Sequence, residues 1–233
     1  MTKYKTVFIN WSGTLSNSKF WEQLADPLHP RSSWFQKLEY SLFNNLKDKI
    51  RPWMRGKYTS EQICKMVAED TGFNYETILQ DFIIGCQKMR LSSPRLLEVV
   101  EKIRHKGSEC IIATDNMDSF RRWTIPALNL EKYFDDFLIS WELKCLKGDL
   151  ENGQSKFFAN YFKHQSLAFE DCVLLDDDLD ESGIYARLGI DYVQISSPSD
   201  LVKKLEEISL MEDSPRASVR AIITPNADFS DEK

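Results

Sequence analysis

Three short apolar runs constrain this chain more than any other feature. Thr6-Val7-Phe8-Ile9, Cys110-Ile111-Ile112-Ala113 and Cys172-Val173-Leu174-Leu175 each stop abruptly at a cluster of polar residues. Runs of this length, rich in β-branched residues and bounded by turn formers, read as strands buried on both faces. Helical text separates them. Ser93-Pro94 opens a helix that Gly107 stops, because serine caps a helix N-terminus, proline fits its first position and glycine suits its end. Further helices are expected at about Met117 to Leu128, Gly153 to His164 and Asp180 to Leu188, and from Ser197-Pro198 to about Ile208. Two more strands are expected at Phe137 to Ser140 and Tyr192 to Ile195. Strands alternating with helices predict an α/β fold, a Rossmann-like, doubly wound parallel sheet.

One stretch breaks the alternation. From Ser16 to Arg90 no convincing strand occurs. Thr59-Ser60-Glu61-Gln62 is a capping box opening a helix through about Asp70. Asn74 opens another, with Ile78, Leu79, Phe82 and Ile83 at helical spacing. The expected organisation is a core of residues 1–15 and 91–210, an all-helical insertion of residues 16–90, and a polar tail from Met211. That tail holds a short apolar patch at Val219 to Ile223, either an added edge strand or no regular structure.

Composition narrows the partners. The 233 residues carry 30 basic and 36 acidic groups, a net charge of −6, which disfavours non-specific nucleic-acid binding. No apolar run reaches the length of a membrane span. The start of the chain lacks the apolar segment and small-residue cleavage site of a signal peptide, so a cytoplasmic location is expected. Cys64, Cys86, Cys110, Cys145 and Cys172 are scattered and odd in number, as reduced buried thiols would be. His29, His105 and His164 form no ligand or triad spacing.

In parallel α/β folds ligands gather at the carboxyl ends of the strands. Four places there carry chemistry. Asn10-Trp11-Ser12-Gly13-Thr14-Leu15 follows the first strand, and its glycine permits a tight turn. Thr114-Asp115-Asn116 ends the second. Lys147 follows Ser140-Trp141-Glu142, with Lys144 a weaker candidate. Asp176-Asp177-Asp178-Leu179-Asp180-Glu181 ends the strand at Val173 to Leu175. Each alone is unremarkable, since such residues commonly cap helices or face solvent.

Taken together and in this order, the four places resemble the haloacid dehalogenase (HAD) superfamily of phosphohydrolases, over about Lys5 to Ile208. The resemblance makes the helical insertion a C1 cap over the active site. It implies that position 10 is the nucleophile and position 12 the acid/base, with Thr114 and Lys147 contacting phosphate. It places Gly13, Thr14, Asp115 and Asn116 around the substrate, and a magnesium ion among Asn10, Ser12, Asp176, Asp177 and Glu181. Hard oxygen ligands of that kind suit magnesium. The implied ligand is a small phosphorylated molecule; the oligomeric state is left open.

The family has aspartate at both position 10 and position 12, and this chain has neither. Covalent phosphoryl transfer needs a carboxylate nucleophile, whereas an amide carries no charge. The amide oxygen still accepts hydrogen bonds, so binding can outlive catalysis. The chain as written is therefore expected to turn over little or nothing. Two origins of Asn10 stand open: a replaced aspartate in an otherwise active enzyme, or a natural pseudoenzyme that binds a phosphorylated ligand or a protein. Trp11 is similar to the spelling of the phosphonate-cleaving branch, which needs a cap lysine; Lys47, Lys49 and Lys57 are the candidates.

The segment Lys47 to Lys57 holds five basic residues against Asp48, together with Trp53. It reads either as a solvated helix end or as a positive, aromatic surface steering a phosphorylated ligand. Trp21, Trp34, Phe35 and Phe43 are expected in the insertion's own core.

Overall fold

The computed structural model describes residues 3–165, 167–180 and 183–211. The tail beyond Met211 and Glu181 lie outside the described residues. The apolar runs become parallel strands: β1 (Thr6–Ile9), β2 (Glu109–Thr114) and β3 (Asp136–Ile139). A two-residue hairpin follows, β4 (Leu150–Glu151) and β5 (Gln154–Ser155). Then come β6 (Cys172–Asp176) and β7 (Asp191–Gln194). The main sheet has the order β3-β2-β1-β6-β7, and every pairing in it is parallel. Ile9 lies level with Ile112 on one side and Leu175 on the other. The chain steps outward from β1 to β3, then returns to the far side of β1. Asn10 therefore follows the strand at which the winding reverses, the place where open α/β sheets form their binding crevice.

Both sheet faces are covered, which is why the strands are apolar throughout. Phe8, Ile111 and Leu174 pack under Phe158, Tyr161 and Phe162. Val7, Ile9, Ile112, Val173 and Leu175 face the helices Leu96–His105 and Pro198–Leu210. Helix Pro198–Leu210 starts as expected, with the Ser197 hydroxyl accepting from the Asp200 amide at 3.2 Å.

The insertion is helical, with Phe35–Tyr40, Lys47–Met54, Ser60–Thr71 and Tyr75–Gln87 as its α-helices. The capping box at Thr59 and Gln62 is formed in both directions. The Asn74 side chain accepts from the Thr77 amide at 2.9 Å. The insertion's apolar residues, including Trp21, Trp53 and Phe82, are continuous with the sheet's own buried cluster.

Several details differ from the sequence reading. The helix expected from Ser93-Pro94 begins at Leu96, after a turn in which the Ser93 hydroxyl accepts from the Arg95 amide. The helix expected near Met117 to Leu128 carries a wide turn at Phe120–Thr124, just before Pro126. Proline lacks the N–H that a regular turn would use there. The helix expected from Gly153 to His164 is shorter, Ala159–Gln165. Asn152 and Gly153 take positive φ (52° and 78°) and make the β4–β5 turn instead. All five cysteines are buried free thiols. No helix among the described residues is long and apolar enough to cross a membrane.

Candidate active site

The loop after β1 folds back on itself because Gly13 can take φ +77°. A side chain there would also collide with the acidic loop, since a Cβ would lie 2.0 Å from Asp177 Oδ2. The loop is closed by the Leu15 amide donating to the Asn10 carbonyl and the Ser16 amide to the Trp11 carbonyl. This turn presents three groups to one point. Asn10 Nδ2 donates to the Ser12 carbonyl at 2.7 Å and to Asp177 Oδ1 at 3.0 Å. The Thr14 hydroxyl donates to the same Asp177 oxygen at 2.9 Å.

Lys147 arrives from the other side. Its backbone amide donates to Asp115 Oδ1 at 2.9 Å, which fixes the loop after β3 to the end of β2. Its ammonium is almost wholly buried and ion-paired with Asp176. Burial pushes the Asp176 carboxyl above the usual carboxylate range, against the pull of that ammonium. Asp115 is likewise pushed up by burial, with Lys147 opposing and Asp176 and Asp149 adding to the rise. Burial also raises the Tyr185 phenol.

Asn10, Ser12, Gly13, Asp115, Lys147 and Asp177 line one cleft of about 560 Å³. The insertion contributes Ile50, Arg51 and Met54 to its wall; Asp178 and Asp180 complete an acidic rim. Thr114 stands at the end of β2 but is fully buried, and its hydroxyl has no hydrogen-bond partner. Asn116 is buried beside the cleft, its amide held by the Ser140 hydroxyl at 2.9 Å. Lys144 is turned away: its ammonium sits 3.8 Å from the centre of the Trp141 ring.

The basic segment is largely the solvated helix end of the first reading, with Lys47, Arg51 and Lys57 exposed. Of its five cations only Arg51 lines the cleft. Arg55 forms a two-pronged bond to Asp149 at 2.7 and 2.9 Å, and Lys49 pairs with Asp48. Lys47, Lys49 and Lys57 are absent from the lining. Trp53 is no surface aromatic; it is fully buried, and its indole N–H donates to Asp118 at 2.9 Å. Phe43, expected in the insertion's core, is 44% exposed.

Sequence reasoning did not single out Asp118. This buried carboxylate receives Trp53, the Ser60 amide and hydroxyl, and Arg122 at 2.8 Å, tying the insertion to the loop after β2. Trp53 and Ser60 lie about sixty residues away in sequence, and the i,i+4 pair with Arg122 alone looks like an ordinary helix-surface pair.

The residues present fit a magnesium ion. A backbone carbonyl and a carboxylate converge on the Asn10 amide nitrogen, and turning that amide over would bring its oxygen to the same point as a third hard donor. Magnesium commonly takes one or two carboxylates with waters and phosphate oxygens. No cluster of three His, Cys, Asp or Glu side chains forms a metal site among the described residues.

No family model matches the chain, and no curated protein matches its sequence. Solved structures do. A HAD family enzyme from Bacteroides thetaiotaomicron, in complex with magnesium and inorganic phosphate, superposes with a TM-score of 0.61 at 16% identity, over 83% of this chain and 95% of that one. A predicted HAD-like family hydrolase from Porphyromonas gingivalis gives 0.63 at 11% identity, over 90% and 100%. The L-2-haloacid dehalogenase from Xanthobacter autotrophicus, with chloropropionic acid covalently bound, gives 0.53 at 13%, over 88% and 83%. The chain thus has the fold of HAD-family enzymes, an α/β sheet with flanking helices.

Proposed function

We propose that this chain is a HAD-type phosphohydrolase scaffold that binds a small phosphorylated molecule with magnesium, and that Asn10 arrests it before hydrolysis. What carries the reading is the convergence of Asn10, the Ser12 carbonyl, Thr14 and Asp177 on one point of a cleft that also holds Lys147. A magnesium ion would be held by the Ser12 carbonyl, Asp177 and, with its amide turned over, the Asn10 oxygen, and would supply the charge that lets an anion approach. That charge is needed: Asp115, Asp177, Asp178 and Asp180 line the cleft against Arg51 and Lys147, and Lys147 is already paired with Asp176.

The chain's own residues then have separable tasks. Arg51 draws the anion to the mouth from the insertion side. Lys147 sets its charge at the cleft floor through Asp176, while its amide positions Asp115. Thr114, with an unpaired buried hydroxyl, is a donor held ready behind the floor. Asn10 accepts or donates hydrogen bonds but forms no covalent bond to phosphorus, and Ser12 has no acidic proton for a leaving group. A phosphonate-cleaving role gains no support, because none of the three candidate lysines lines the cleft.

The test has two parts. Calorimetry should detect inorganic phosphate binding that depends on magnesium and is lost in Asp177→Ala. Asn10→Asp should then release phosphate from an aryl phosphate, whose leaving group needs little protonation. Phosphate binding without restored turnover would leave a binding protein; absence of both would remove the reading.

A further inference from the structure

The cleft adjoins a second cavity of about 360 Å³. The two share Ser12, Ile50, Met54 and Asp115, so a ligand anchored at Asn10 can reach both. Their walls differ. The second is mostly apolar, with Trp11, Phe20, Phe43, Met54, Met89 and Met117 on its wall and Ser12, Ser18 and Asn116 as its neutral polar residues. Its charged side chains besides Asp115 are Lys19 and Glu39, which are paired with each other at 3.2 Å. Trp11 is held rigidly against Phe120, with ring centres 4.9 Å apart. Methionine side chains opposite it are adaptable and favour contact with aromatic rings.

We propose that the phosphorylated ligand carries an apolar, ring-sized organic group, which this chamber holds while the phosphate sits at Asn10 and Asp177. The proposal rests on the phosphate-site reading above and adds the class of the ester. Space allows it, because an apolar cavity of about 150 Å³ already accepts benzene. Chemistry favours it over a sugar or nucleotide. Hydroxyls entering this chamber would give up water and meet mostly sulfur and ring carbon; the buried Glu39 Oε1, which has no partner, could take one donor but not the several of a sugar. The aromatic Phe43 fits the same account. It is half exposed at the chamber wall, where an unliganded apolar side chain gains little from its position, and a bound ring would cover it.

The experiment titrates the full chain, in saturating magnesium, with inorganic phosphate, phenyl phosphate, 1-naphthyl phosphate and glucose 6-phosphate. Asn10 keeps the esters intact, so equilibrium binding is read directly. Phenyl phosphate should bind about 10- to 100-fold more tightly than inorganic phosphate, the gain expected from burying one ring. Naphthyl phosphate should bind at least as tightly, and glucose 6-phosphate no better than inorganic phosphate. Phe43→Ser, at a half-exposed position that does not endanger folding, should shrink the ratio of phenyl phosphate to inorganic phosphate affinity. Phosphate binding with no preference for the aromatic esters, or a ratio unmoved by Phe43→Ser, overturns the apolar-ligand proposal and leaves the phosphate site standing. Failure of every compound, inorganic phosphate included, overturns both.

Discussion

Asn10 and Asp177, 167 residues apart in sequence, are joined by a 3.0 Å hydrogen bond from amide to carboxylate. The acidic loop is thereby held against the first strand by a neutral donor. In an enzyme using aspartate at position 10, two carboxylates would face each other at this distance and would need a cation between them.

Asn10→Asp should therefore lower the stability of the metal-free protein at neutral pH. Losing the bond to Asp177 and to the Ser12 carbonyl, and adding a like charge in a nearly buried position, should cost about 1–3 kcal/mol. Magnesium should restore it. Thermal unfolding with and without magnesium checks this: the variant's midpoint should rise with the ion far more than that of the parent chain. Equal rises in both would show that Asp177 does not face position 10.

Gly13→Ala tests the turn. Its left-handed backbone and the 2.0 Å approach of a Cβ to Asp177 cannot both be relieved without moving the acidic loop. A destabilisation of about 1–3 kcal/mol is expected, with magnesium-dependent phosphate binding lost even at temperatures where the fold persists. Circular dichroism and calorimetry on the same sample separate the two effects.

Asp115 gives a pH signature. Burial raises its carboxyl above the ordinary 3.8; the charges facing it are Lys147, Asp176, Asp149 and Arg55. A group whose folded-state pKa is raised is fully stabilising below its unfolded value, and that contribution is lost as pH rises through the folded value. Asp115→Asn keeps an acceptor for the Lys147 amide and removes the buried charge. Its unfolding midpoint should exceed the parent's at pH 7 and approach it below about pH 4. The opposite order at pH 7 would mean that the carboxylate is stabilised rather than penalised where it sits.

Asp118→Ala should be the most destabilising single change of this group. It strands the Trp53 indole, the Ser60 amide and hydroxyl, and one Arg122 bond, all at a nearly buried carboxylate. About 3–5 kcal/mol is expected from an uncompensated buried network, read from the urea midpoint. Arg122 retains Glu61, whose carboxyl that guanidinium lowers to about 2.

The parallel sheet was legible because its strands are buried on both faces, so apolar runs and turn formers mark them without help from tertiary context. The insertion's helices announced themselves through Thr59 and Asn74, whose caps are local chemistry. The β4–β5 hairpin also had a local signal, Asn152-Gly153, but its strands are two residues long and carry no alternation to read. Phe43 and Trp53 were assigned the wrong surroundings for a different reason. Composition says that an aromatic residue seeks cover; only the path of the chain decides whether the cover is Asp118, a neighbouring helix or a cavity wall. The cleft residues were legible one by one, yet their partners were not. Lys147 was read as a phosphate contact, and nothing in its neighbourhood of sequence reveals that Asp176 claims its ammonium.

The insertion leaves and rejoins the sheet at almost the same place. The Ser16 hydroxyl donates to the Arg90 carbonyl at 2.7 Å, the Arg90 amide to the Ser18 hydroxyl, and the Ser92 amide to the Leu15 carbonyl. Two strands of backbone stitched side by side make a port: whatever is spliced between them need not disturb the winding of β1, β2 and β6. The segment from Asn17 to Met89 is thus a closed loop on the sheet, whose two ends are fixed to each other rather than to distant strands. The toll of replacing it falls on the floor, where Trp11, Met117 and Phe120 would need a new apolar cover, and Asp118 and Asp149 new partners in place of Trp53, Ser60 and Arg55.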